Sequence, residues 1–197
     1  AEHADKVFAV DLLPVVVEET ILNSLDLSGG EMLCQPDFAK ALLASAKEAG
    51  LHTAVESTAF AEFETIKQLL PYIDLFLMDI KHMNGEKHKE YTGVKNDIIL
   101  ENARKIAEYG TELIIRTPVV PTFNDTAEEI FAISSFARAI GAKEHHLLPY
   151  HRLGQDKYIG LGRKYSLSEI EPPSREADPP GYPFYRAAAW CTDPGSA

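Results

Sequence analysis

The chain has 197 residues, 45% of them hydrophobic, which suits one domain with a sizeable core. Its 19 Lys and Arg stand against 30 Asp and Glu, and a formal net charge of −11 argues against a nucleic-acid or anionic-membrane surface, because phosphate recognition needs a local excess of cations. No apolar run approaches the roughly 20 residues of a membrane span and Glu2 is unlike the start of a secretory leader, so the chain reads as cytoplasmic.

The first 24 residues carry mixed signals: Val15, Val16 and Val17 favour a strand, whereas Glu18 to Leu25 suits a helix, and the segment is assigned as mostly helix. From Leu25 the pattern is regular. A short apolar strand ends at Ser28, followed by Gly29, Gly30 and Glu31, where two glycines let the backbone turn tightly and approach a ligand. A helix runs from Pro36 to Ala49 with Gly50 as its stop, then a strand His52 to Glu56 and a helix Phe60 to Leu70 that ends before Pro71. The run Leu75 to Ile80 is too short for a helix and apolar on both faces. A polar loop, His82 to Lys95, leads to a helix Asp97 to Tyr109 with Ile99, Ala103 and Ile106 inward and Gly110 as its end.

Strand Glu112 to Val120 follows, and Thr126 with Glu129 forms a capping box that opens a helix stacking Ile130, Ile133, Ala137 and Ile140. The last strand is His145 to Pro149. Adjacent residues of a strand face opposite ways, so His145 and His146 cannot act as two ligands from one side. Strand and helix alternate five times, and the strands are continuous apolar runs, which argues a parallel α/β sheet with both faces covered. Residues 1–171 form this domain. From Pro172 the chain is Pro-rich with no helical period, so residues 172–197 read as an irregular tail. Cys34 and Cys191 lie far apart, give no disulfide framework and no CxxC spacing, and read as reduced structural residues.

Polar or charged groups recur where each strand stops: Glu31, Glu56, Asp79 with Lys81, Arg116 and His151. In a parallel α/β sheet these ends share one rim, where such folds bind ligands. Each residue also has an ordinary structural reading. Glu31 suits a solvated turn, Glu56 a turn cap, Asp79 and Lys81 an ion pair on one side of their strand, and His151 a loop histidine. Arg116, inside an apolar strand, requires an anionic partner.

The strings LSGGE, LPYIDLFLMDIKHMNGEKHKEYTGVKNDIILEN, IIRTPVVP with ND following, and LLPYHRLGQDKY resemble the activating enzymes of glycyl-radical enzymes, typified by pyruvate formate-lyase activating enzyme, in the radical S-adenosylmethionine superfamily. The likeness runs from about Leu25 to Pro173. It implies a partial TIM-like barrel lacking its first strand, with S-adenosylmethionine at the carboxyl rim. By the same resemblance Gly29, Gly30 and Glu31 hold the methionine amino group and Glu56 contacts the ribose or supports the site. Asp79, Lys81 and Arg116 complete the site, and His151 lies close to the adenine. The implied chemistry is reductive cleavage of that cofactor by an iron-sulfur cluster, to place a radical on a glycine of a partner such as pyruvate formate-lyase, with flavodoxin or ferredoxin as electron donor.

The cluster needs three thiolates in a CxxxCxxC loop, which this chain does not contain. The expectation is a truncated activase that is inactive by itself. Two other readings stay open: a module that binds S-adenosylmethionine or the partner without chemistry, and a Schiff-base barrel enzyme using Lys81. The family has Pro where Met32 stands and Gly where Ala59 and Thr122 stand, and losing glycine is expected to close off positive φ in those loops.

Overall fold

The computed structural model describes residues 23–28 and 31–150. Five strands, β1 (Ser24–Leu27), β2 (His52–Ser57), β3 (Leu75–Asp79), β4 (Glu112–Val119) and β5 (Glu144–Pro149), form one parallel sheet in the order β1-β2-β3-β4-β5. Helices α1 (Pro36–Glu48), α2 (Phe63–Lys67), α3 (Gly85–Thr92), α4 (Asp97–Tyr109) and α5 (Ala127–Ala139) make the crossovers. Every strand pairs in parallel with the next in the chain, so each crossover steps one position in the same direction, as in the wall of a barrel. Among the described residues the wall does not close.

Local sequence explains the helices. Pro36 stands in the first turn of α1, Asp37 and Lys47 complement the helix dipole, and Ala39, Leu43 and Ala46 form its buried stripe. α4 buries Ile99, Ala103 and Ile106 and stops at Gly110, whose φ of 95° suits a residue without a Cβ. These apolar stripes meet Val55, Phe76, Met78, Leu113 and Ile115 in one core on the helical side of the sheet. The other face carries Glu56, Leu75, Leu77, Asp79 and Arg116, all partly exposed. The expectation that both faces are covered is therefore met on one side only among the described residues: the second face is the concave one, and its charges keep it wet.

Three further expectations are corrected. The helix read over Phe60 to Leu70 is broken into α2 and a 3-10 turn, Leu70–Tyr72, because Pro71 lacks the N–H that would continue an α-helical ladder. The polar stretch His82 to Lys95 holds helix α3, which Asn84 caps by accepting from the N–H groups of Glu86 and Lys87 and which Gly93 ends at φ 86°. Apolar period could not show it, since His88 is the one buried residue of α3. Cys34 is a free, exposed thiol rather than a packed one. Residues 1–22 of the amino-terminal segment, Cys191 and the tail lie outside the described residues, and Ser24 belongs to β1 rather than to a helix.

Candidate functional site

The concave face is organised by Arg116. β4 places it opposite Asp79 of β3 in the sheet register, and its long side chain also reaches over β3 to β2. Its Nη1 donates to Glu56 Oε1 at 2.5 Å, while Nη2 and Nε lie 3.3 Å and 3.4 Å from Asp79 Oδ1. Only 16% of the Arg116 side chain is exposed, so a guanidinium there needs both carboxylates. The Arg116 hydrogen bond holds the Glu56 carboxyl below its ordinary range, and Ser28 Oγ adds a second donor at 2.6 Å. On β1, Asp26 is pushed up by burial and by the nearby negative charge of Glu56. Lys81 Nζ stands 3.9 Å from Asp79 Oδ2, a loose contact that leaves most of its donor capacity free. That carboxylate neighbour also differs from the apolar pocket by which a Schiff-base lysine is activated.

Glu31 sits beside this group, at the carboxyl end of β2. Ser57 Oγ and the backbone N–H of Leu33 donate to its Oε1 at 2.6 Å and 3.3 Å, and the N–H and hydroxyl of Thr58 donate to its Oε2 at 3.1 Å and 2.9 Å. The carboxylate thus ties the loop after β1 to the loop after β2. In the second loop Ala59 has φ 54°, and Thr122, in the loop after β4, has φ 68°. The expectation that non-glycine residues would close off positive φ is overturned at both positions. The surroundings over-determine the strained geometry: the N–H of Ala59 donates to Ser57 Oγ at 2.9 Å, and its carbonyl accepts from buried Asn102 at 2.8 Å.

The backbone that carries Asp79 and Lys81 is gripped from several directions. Ile80 donates to Arg116 O at 2.9 Å and accepts from Thr117 Oγ1 at 2.8 Å. Lys81 O accepts from Asn124 at 2.7 Å, and His82 O and Met83 O accept from Asn96 at 2.6 Å and 3.1 Å. Met83 N donates to Glu129 Oε1 at 2.5 Å. Four consecutive carbonyls are therefore held by side chains of β4, of the loop after it and of the turn before α4. Thr126 does cap α5, accepting from Glu129 N at 3.2 Å, but the Glu129 carboxylate serves the Met83 segment instead of closing a capping box. Against this bed lies an open pocket of about 150 Å3, lined among others by Thr58, Phe60, Asp79, Lys81 and His88.

Glu56, Asp79, Lys81 and Arg116 are thus brought together and Glu31 adjoins them, whereas Gly29, Gly30 and His151 lie outside the described residues. Sequence reading missed Asn96, Asn102, Thr117 and Asn124, which hold the site without entering it. The available signal was a polar residue where the pattern calls for an apolar one, as Asn102 does on the inward stripe of α4.

A parallel sheet of this topology, with carboxylates and cations gathered at its strand ends, has the architecture of a partial TIM-like barrel with a ligand-binding rim. The chain belongs to the radical SAM superfamily, whose family model matches residues 10–132. Among curated proteins it is 41% identical, over 83% of this chain and 54% of the relative, to a 4-hydroxyphenylacetate decarboxylase activating enzyme of Clostridioides difficile. It is 43% identical, over 75% of this chain and 48% of the relative, to an isethionate sulfite-lyase activating enzyme of Nitratidesulfovibrio vulgaris. The chain spans about half the length of the curated relatives it matches. Among solved structures, a domain of pyruvate-formate lyase-activating enzyme from Bacteroides vulgatus matches 77% of this chain and 86% of that chain, with a TM-score of 0.62 at 28% identity.

The concave face fits S-adenosylmethionine by its donor set: carboxylates for the ammonium and sulfonium, and a cation with free donors, Lys81, for the carboxylate. An iron-sulfur cluster is not fitted by the described residues, among which no group of three His, Cys, Asp or Glu could hold a metal.

Proposed function

We propose that this chain is part of a radical SAM activase that places a glycyl radical on a partner enzyme. The supporting observation is the convergence of Glu56, Asp79, Lys81 and Arg116 on the concave face, in a chain whose curated relatives are named activating enzymes. When bound, S-adenosylmethionine supplies, on one-electron reduction, the group that takes a hydrogen atom from a glycine of the partner.

The residues of this chain bind and orient. Lys81 meets the cofactor carboxylate, Asp79 and Glu56 meet its ribose or positive groups, and Arg116 holds both acids in place and keeps Glu56 ionised. Glu31, whose oxygens already accept four hydrogen bonds, anchors the loop that the resemblance assigns, with Gly29 and Gly30, to the amino group. The family resemblance assigns His151, outside the described residues, to the adenine. The partner is a glycyl-radical enzyme like pyruvate formate-lyase, the reductant a flavodoxin or ferredoxin reaching an iron-sulfur cluster, and the compartment the cytoplasm.

The test is anaerobic binding of S-adenosylmethionine to the intact, cluster-loaded protein, followed by electron paramagnetic resonance of the partner. Micromolar binding that Lys81→Ala weakens at least tenfold, and a glycine-centred doublet on the partner, are expected. Binding that ignores Lys81→Ala and Asp79→Asn overturns the site, and a silent partner overturns the activity.

A further inference from the structure

His145 is a largely buried titratable group outside the cluster of charges, and its ring bridges two hydroxyls. β5 turns it away from the concave face, so that Nδ1 is 2.8 Å from Ser134 Oγ on α5 and Nε2 is 2.9 Å from Thr117 Oγ1 on β4. Donor roles along this line follow from its far end. A carbonyl only accepts, so the single proton of the Thr117 hydroxyl goes to Ile80 O at 2.8 Å. Thr117 Oγ1 then faces His145 as an acceptor, which puts the ring proton on Nε2 and leaves Nδ1 to accept from Ser134. Burial pulls the His145 pKa down to about 4, and the neighbouring His146 adds to the effect, so the ring is neutral near pH 7.

The relay ends on the peptide between the two site residues. Ile80 has both backbone groups fixed by β4, its N–H on Arg116 O and its carbonyl on Thr117. Turning that peptide would swing the Asp79 and Lys81 side chains, which leave the backbone on either side of it. Without the His145 proton, the Thr117 oxygen is a buried acceptor with nothing to receive, and its hydroxyl is free to turn from Ile80 to another partner.

We propose that His145 is a positioning residue: through Thr117 it fixes the carbonyl of Ile80 and so sets the aim of Asp79 and Lys81 at bound S-adenosylmethionine. This rests on the cofactor reading above.

The test combines nitrogen-15 spectra of the His145 ring with affinity for S-adenosylmethionine in the intact, cluster-loaded protein. The spectra should show the Nε2–H form at pH 7. His145→Leu and the isosteric Thr117→Val should each weaken binding five- to tenfold, and the double variant should be no weaker than either, because the two act in series. Thr117→Ser, which keeps the hydroxyl, should bind within twofold of wild type. Thermal unfolding is followed in parallel, and affinity is compared only among variants still folded at the assay temperature. Should His145→Leu not fold, Thr117→Val against Thr117→Ser carries the comparison. An Nδ1–H ring, unchanged affinity in Thr117→Val, or additive losses in the double variant would each overturn the relay. A wild-type protein that does not bind the cofactor would overturn the site reading and this proposal with it, whereas normal wild-type binding that the variants leave untouched would overturn the relay alone.

Discussion

Arg116 Nη1 donates to Glu56 Oε1 at 2.5 Å from two strands away, spanning β3 to reach β2 while also meeting Asp79. One cation thus holds two carboxylates on a face that is only partly wet. Replacing it by Met leaves both acids facing each other, with Asp26 close to Glu56. Because Glu56 and Asp79 remain 27% and 20% exposed, the expected loss at pH 7 is about 2–3 kcal/mol, below the ~3–5 kcal/mol of a fully buried broken pair. The Glu56 pKa is depressed in the fold, so its contribution is present above the unfolded value near 4.5 and is lost as pH falls through the lower folded value. In urea unfolding the gap between Arg116→Met and wild type should therefore narrow as pH falls below about 4.5 and through the lower folded value.

His145 gives a second pH signature, in a different window. Its folded pKa of about 4 lies below the ordinary 6.5, so the fold favours the neutral ring. The stability this gives is complete above pH 6.5 and is lost as pH falls towards 4, by up to about 3 kcal/mol. In His145→Gln the slope of unfolding free energy against pH between 6.5 and 4 should flatten.

The two strained loops answer differently to glycine. Thr122 is β-branched at φ 68°, and Thr122→Gly should stabilise by about 0.5–1 kcal/mol after the entropy of the freer unfolded chain is subtracted. Ala59 is fully buried, so Ala59→Gly gives up packing as it relieves strain, and its melting temperature should stay within about 2 °C of wild type.

Asn124 is the most heavily used of the supporting amides. Its Oδ1 accepts from Val120 N at 2.7 Å and its Nδ2 donates to Lys81 O and Pro118 O at 2.7 Å and 2.9 Å. Asn124→Leu has similar volume but strands three partly buried backbone groups, and denaturant unfolding should show a loss of about 1–3 kcal/mol.

The strands, α1, α4 and α5 were legible because apolar period and cap residues agree there: Pro36 with Gly50, the stop at Gly110, and Thr126 before α5. α3 was not, because its only buried residue is a histidine and its cap, Asn84, sits in a run of polar residues. At the site, the requirement that Arg116 find an anion follows from desolvation alone and is met by Glu56 and Asp79. Which acids meet it depends on register, and register arises from packing between distant segments that no local pattern encodes. Asn96 and Asn124 were invisible for the same reason, each pairing with a carbonyl elsewhere in the chain, whereas Asn102 left a trace as a polar residue on an apolar stripe.

The seating of Ile80 to Met83 also governs how the molecule breathes. These residues lie past the end of β3, where a chain segment ordinarily opens by itself, yet their carbonyls are claimed by Thr117, Asn124 and Asn96 from separate parts of the sequence. Letting go of one leaves the others holding, so exposure of the Ile80 and Met83 amides is expected to follow global rather than local opening. Deuterium uptake there should be as slow as in the middle of β4, although past Ile80 the segment forms no strand.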